Sequence, residues 1–103
     1  MTNEEFNLEV ERAFNRSKRV LIKKGEEYTS DNDRLSQFRR AAAVLETTAP
    51  EALIGMAVKH FTSIIDMSHN PHSYSRKEWN DKLIDLRNYT FLLDALLTEI
   101  GVD

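Results

Sequence analysis

Three side chains near the end of this 103-residue chain, Asp81, Asp85 and Asn88, recur at i, i+4 and i+7. On a helix that spacing puts three oxygen ligands of the kind Mg²⁺ prefers on one face, which suits a divalent-metal or a nucleotide-sugar contact. Asp85 is the most telling of the three. At about 100° per residue it projects between the directions of Leu92 and Leu96, on the border of an apolar stripe. A bare ionised carboxylate is costly there, so it must meet a metal, hydrogen-bond donors or a cationic side chain. An arginine partner or a helix cap would meet the same need, and the spacing does not choose among them. Glu78 forms an E-x-x-D pair with Asp81, but it falls in a first helical turn, where the dipole favours acids whatever the function.

Other polar residues are weaker candidates. Lys59, Ser63 and Asp66 form a line pointing away from Leu53, Phe61 and Ile64, as a solvated face would; packed beside the last helix they would become a site wall. His60 points into the apolar stripe, where most histidines are satisfied core groups. His69 and His72 flank Asn70-Pro71 without further acids or cysteines at ligand spacing, a poor zinc pattern. The stretch from Lys23 to Phe38 mixes cations, acids and Tyr28 and ends at a helix start, which suits a phosphate-and-base contact as well as it suits a solvated loop. No Walker A, G-x-G-x-x-G, G-x-S-x-G or H-E-x-x-H pattern occurs.

The elements that position these groups are helices. Three glycines and two prolines punctuate the chain, and apolar residues recur at helical spacing. The first helix opens at the capping box Thr2 to Glu5 and is expected to stop at Gly25, with Phe6, Val10, Ala13, Phe14, Val20 and Leu21 on its buried face. The second spans about 33–46 and buries Leu35, Phe38, Ala42 and Leu45. The third starts at Thr48, boxed with Glu51 and with Pro50 in the first turn, and carries Leu53, Ile54, Met56, Ala57, Phe61, Ile64, Ile65 and Met67. The fourth opens at the box Ser75 to Glu78 and runs to Ile100. Its main stripe is Trp79, Leu83, Leu86, Tyr89, Leu93, Leu97 and Ile100, with Ile84, Phe91 and Ala95 as a second. A helix apolar on two sides is normally sandwiched, which points to an oligomer.

The length suits one all-α domain, residues 1–103. A net charge of −3 argues against a general nucleic-acid binder but not against a small anionic ligand held by local cations. With no cysteine, an acidic start and no run of 18 apolar residues, the expectation is a soluble cytoplasmic protein without a membrane span.

Lys24-Gly25-Glu26-Glu27-Tyr28, then Asp33-Arg34-Leu35 with Phe38 and an alanine-rich helix, resembles the opening of small phage and prophage domains of the MazG-like kind. That group includes the all-α nucleoside triphosphate pyrophosphohydrolases and the nucleotide-modification-associated domains. The likeness continues through Ala57-Val58-Lys59-His60 to Asp81-Lys82-Leu83-Ile84-Asp85-Leu86-Arg87-Asn88-Tyr89. It implies a four-helix MazG-like bundle completed by oligomerisation, with a nucleotide and Mg²⁺ held between helices in the cytoplasm of a host cell. By that analogy Asp81, Asp85 and Glu27 hold the metal, while Tyr28, Arg34, Lys59 and Asn88 contact the nucleotide. The family's enzymes carry an E-E-x-x-E box. Here Glu26-Glu27 is followed by Tyr28-Thr29-Ser30, and Lys82 stands where an E-x-x-D box ending at Asp85 would have glutamate. Hydrolysis and binding alone both stay open, as does a non-enzymatic interaction or oligomerisation module.

Overall fold

The computed structural model describes residues 1–28 and 33–103, the side chain of Tyr28 excepted. Four α-helices make up the described chain: α1 (Asn3–Tyr28), α2 (Ser36–Leu45), α3 (Ala49–Ser68) and α4 (Arg76–Glu99). A 3₁₀ turn, Pro71–Ser73, joins the last two, and no strand occurs among the described residues. The protein is all-α, as its periodicity predicts.

Local chemistry sets most helix starts. The Thr2 hydroxyl accepts the Glu5 N–H while the Glu5 carboxylate accepts the Thr2 N–H. Ser75 and Glu78 make the same reciprocal pair at α4. At α3 the Thr48 hydroxyl accepts the Glu51 N–H and itself donates to the Glu51 carboxylate at 2.8 Å. Each pair satisfies donors that a helix end leaves open. α2 starts three residues later than the sequence suggests, because Asp33 turns back to accept the Leu35 N–H and pairs with Arg39. It ends at Glu46, in the left-handed region at φ 54°, and α3 leaves at 96° to it.

Gly25 corrects the expected end of α1. The helix continues through it to Tyr28, and the glycine serves a different purpose. A Cβ there would lie 3.1 Å from the Arg34 Nε and 3.2 Å from its Cδ, so the missing side chain lets Arg34 lie against α1.

α4 is the central element. α3 packs along one side of it, α2 packs on α3, and among the described residues α1 packs on α4 alone. The core is Leu35, Phe38, Leu53 and Leu96, the last two fully buried, with Tyr89, Leu92 and Leu93 packed against it. Tyr89 and Leu93 of the expected main stripe of α4 pack against this core, but its buried member is Leu96, with Leu92 beside it, and Ile100 at the end of the stripe is exposed. Of its second stripe, Ile84 is buried, Phe91 meets Phe14 of α1 edge to face with centroids 5.8 Å apart, and Ala95 is exposed. α4 thus meets α3 and α1 within one chain.

The apolar residues left outside are elsewhere. Phe6, Val10 and Phe14 on α1, and Ile54, Phe61 and Ile65 on α3, were expected in the core and are exposed, as is Leu45 at the end of α2. No single helix among the described residues is long and apolar enough to cross a membrane.

Candidate functional site

Where the end of α1, the start of α2, the middle of α3 and α4 converge, they leave a cleft of about 160 Å³, partly open to solvent. That is below the roughly 300–1,000 Å³ of whole small-molecule sites, so the cleft has room to enclose part of a ligand, with the rest at its open mouth. Leu21, Phe38 and Leu92 supply apolar wall; Lys24, Arg34, Gln37, His60, Asp85, Asn88 and Tyr89 supply polar atoms.

Asp85 resolves the question its position raised. Its Oδ1 accepts from the Lys24 ammonium at 3.3 Å, and its Oδ2 lies 3.5 Å from the His60 Nδ1. The second contact is not an ion pair at neutral pH. Burial drives the His60 pKa below its usual 6.5, nearby Lys59, Lys82 and Lys24 push the same way, and only Asp85 opposes them. The imidazole is neutral, its Nδ1 is buried without a hydrogen-bond partner, and its ring lies 5.3 Å from that of Tyr89 at a 35° tilt. Burial, and then the Asp85 charge, raise the Tyr89 pKa, so the phenol keeps its proton. The carboxylate that sequence reasoning could assign to a metal or an arginine thus meets a lysine.

Asn88 is the unusual member. It is 6% exposed, and neither its amide nitrogen nor its amide oxygen has a hydrogen-bond partner. Buried amides are ordinarily satisfied, because an empty donor or acceptor costs about 1–3 kcal/mol. Arg34 presents the same condition, with one terminal guanidinium nitrogen buried and unpartnered in the same cleft. Three residues that line this cleft, Arg34, His60 and Asn88, thus carry buried polar atoms without partners.

The other expected site residues lie apart from it. Asp81 is exposed and accepts from Lys77 at 3.0 Å, one helical turn back. Glu27 and Lys59 are exposed and do not line the cleft. The side chain of Tyr28 lies outside the described residues. Among the described residues no group of three or more His, Cys, Asp or Glu side chains comes together as a metal-holding set. Among the described residues Asp85 is the one carboxylate lining the cleft, and it already serves Lys24, so the described donors do not fit a protein-held magnesium ion. Ser63 and Asp66 line a separate shallow groove with Met67, Tyr74, Glu78 and Lys82.

Sequence reasoning named Arg34, Asp85 and Asn88 but did not place Lys24, His60 and Tyr89 in the site. His60 carried a signal, a polar ring directed into an apolar stripe. Lys24 carried one only in its position beside a glycine that turns out to accommodate Arg34.

A second polar contact fixes α1 on α4. Ser17 is fully buried and accepts from the Arg87 Nε at 2.7 Å. Burial, with Arg16 and Arg76 nearby, lowers the Arg87 pKa, although the guanidinium stays charged. Together with the Phe14–Phe91 contact and the Lys24–Asp85 pair, it holds the wall of the cleft that α1 provides. No family model, no curated protein and no solved structure matches this chain, so the reading of the cleft rests on its own geometry.

Proposed function

We propose that the protein binds a small phosphorylated ligand, a nucleotide, in the cleft between α1 and α4. The observation that supports this most is that Asn88, with its buried, unpartnered amide, lines the same cleft as Arg34, which has an unpartnered guanidinium nitrogen. An amide offers one donor edge and one acceptor edge, which is what a nucleobase edge requires. Arg34 and Lys24 put two cations against the single carboxylate of Asp85, a local positive excess suited to phosphate. His60 and Tyr89 supply an aromatic wall beside them.

In this reading the chain binds its ligand, and magnesium arrives chelated by the nucleotide's phosphates. Hydrolysis by a metal-activated water needs several convergent carboxylates, and the described residues of the cleft provide one. The reading keeps the nucleotide of the MazG-like resemblance and leaves aside its pyrophosphohydrolase chemistry.

The test is a thermal-shift and calorimetric panel of nucleosides, nucleotides and inorganic phosphate, with and without Mg²⁺. A nucleotide at about 100 times its dissociation constant stabilises the fold by roughly 2.7 kcal/mol. The expected result is a shift with nucleotides, a weaker one with nucleosides or phosphate alone, and loss of the shift in Arg34→Ala. No shift with any nucleotide would refute the reading.

A further inference from the structure

We infer that Arg16 and Arg87, where α1 packs on α4, form a second binding site outside the cleft, one that takes a phosphate group. Unpaired cations on an open surface need no explanation, since water solvates them. These two are partly buried. The Nε of Arg16 is buried without a hydrogen-bond partner, and no ion pair among the described residues takes up either guanidinium. A charge withdrawn from water ordinarily has its counter-charge beside it. Here the neighbouring charge has the same sign: burial first, and then Arg16 and Arg76, lower the Arg87 pKa.

The rest of α1 widens the imbalance. Arg12, Arg16, Arg19 and Lys23 recur at i, i+4, i+7 and i+11, within about 60° on one side of the helix. Among the described residues only Arg12 of the four has an acid, Glu9 at 2.9 Å. Positive charge thus collects on one side of a chain whose net charge is −3.

Ser17 organises the site in advance. Fully buried, it accepts from the Arg87 Nε at 2.7 Å, which fixes the plane of the guanidinium. The terminal nitrogens of Arg87 make no hydrogen bond among the described residues and offer the forked edge that oxyanions accept from bidentately. A carboxylate would neutralise one of the two cations. A phosphate group, with about 1.5 to 2 negative charges at pH 7 and three acceptor oxygens, matches both.

The site is separate from the nucleotide reading. Neither arginine lines the cleft, and around α4 Arg87 is turned about 100° from Asn88 and about 160° from Asp85. The test is a titration of the full chain with inorganic phosphate, at constant ionic strength held with chloride, followed by NMR through the side-chain N–H signals. The Nε–H signals of Arg16 and Arg87 are expected to shift and saturate, while the Asn88 amide signals report on the cleft in the same spectra. Arg16→Gln is expected to weaken phosphate binding at Arg87 about tenfold or more with helicity retained. A short single-stranded DNA identifies the source of the group. An affinity about tenfold or more above that of inorganic phosphate assigns it to a nucleic-acid backbone laid along Arg19 and Lys23; a similar or lower affinity assigns it to a free phosphate group. Arg16 and Arg87 signals that stay still, or that move equally with chloride alone, would overturn the site, as would an unchanged phosphate affinity in Arg16→Gln.

Discussion

The cleft beside α4 and the outer face of α3 are both incomplete, in opposite chemistries. In the cleft, buried polar atoms of Arg34, His60 and Asn88 lack partners. On α3, large apolar side chains lack cover. An empty amide calls for a ligand with matching donors and acceptors, whereas an uncovered stripe calls for area and is indifferent to hydrogen bonds. The difference teaches that the two regions answer to different chemistries and should respond separately to mutation. Between them lies the core of Phe38, Leu53 and Leu96, at 1%, 0% and 0% exposure.

The largest expected effect tests that shared support. Phe38→Ala should cost about 3–5 kcal/mol in chemical denaturation, and it should impair both regions, because Phe38 also lines the cleft. A loss below about 1 kcal/mol would mean that the core does not carry the two surfaces. Next comes the cleft alone. Arg34→Ala should weaken nucleotide binding about tenfold or more while leaving the subunit mass unchanged; a changed mass would merge the two regions.

A smaller effect follows from His60. Its pKa is lowered in the fold relative to 6.5 in the unfolded chain, so the unfolded state binds the extra proton first. Stability is therefore unaffected well above pH 6.5, falls as the pH drops through that value, and levels off below the folded pKa. His60→Gln should remove this step from a pH series of unfolding free energies, and an unaltered profile would assign the step elsewhere. The smallest effect belongs to Asp81. Its pair with Lys77 is largely exposed, so Asp81→Asn should change stability by about 0.5 kcal/mol or less and leave nucleotide binding intact. Loss of binding in that variant would return Asp81 to the site.

The starts of α1, α3 and α4 were legible in the sequence because they depend on neighbours three residues apart: Thr2 with Glu5, Thr48 with Glu51, Ser75 with Glu78. The site was legible in part. Asp85 and Asn88 stood out because their spacing places polar groups at the edge of an apolar face. Asp81 shares that spacing but lies one turn beyond the cleft, and spacing along one helix does not tell where another helix crosses it. Gly25 was misread because a helix stop and a close approach both select glycine. The partner of Asp85 was hidden for the same reason as the exposure of Phe6, Val10 and Phe14: both depend on how α1 lies on α4, which no local pattern encodes.

The most direct test of the account is the thermal unfolding of Asn88→Leu, with and without nucleotide. If the buried amide is kept for a ligand, the leucine fills its place without an unmet hydrogen-bonding need. The variant should then unfold at a higher temperature than the unaltered chain, with a gain of about 1–3 kcal/mol, and should show no nucleotide shift. A variant that is less stable without ligand, or that still responds fully to nucleotide, would contradict the assignment of Asn88 to ligand recognition.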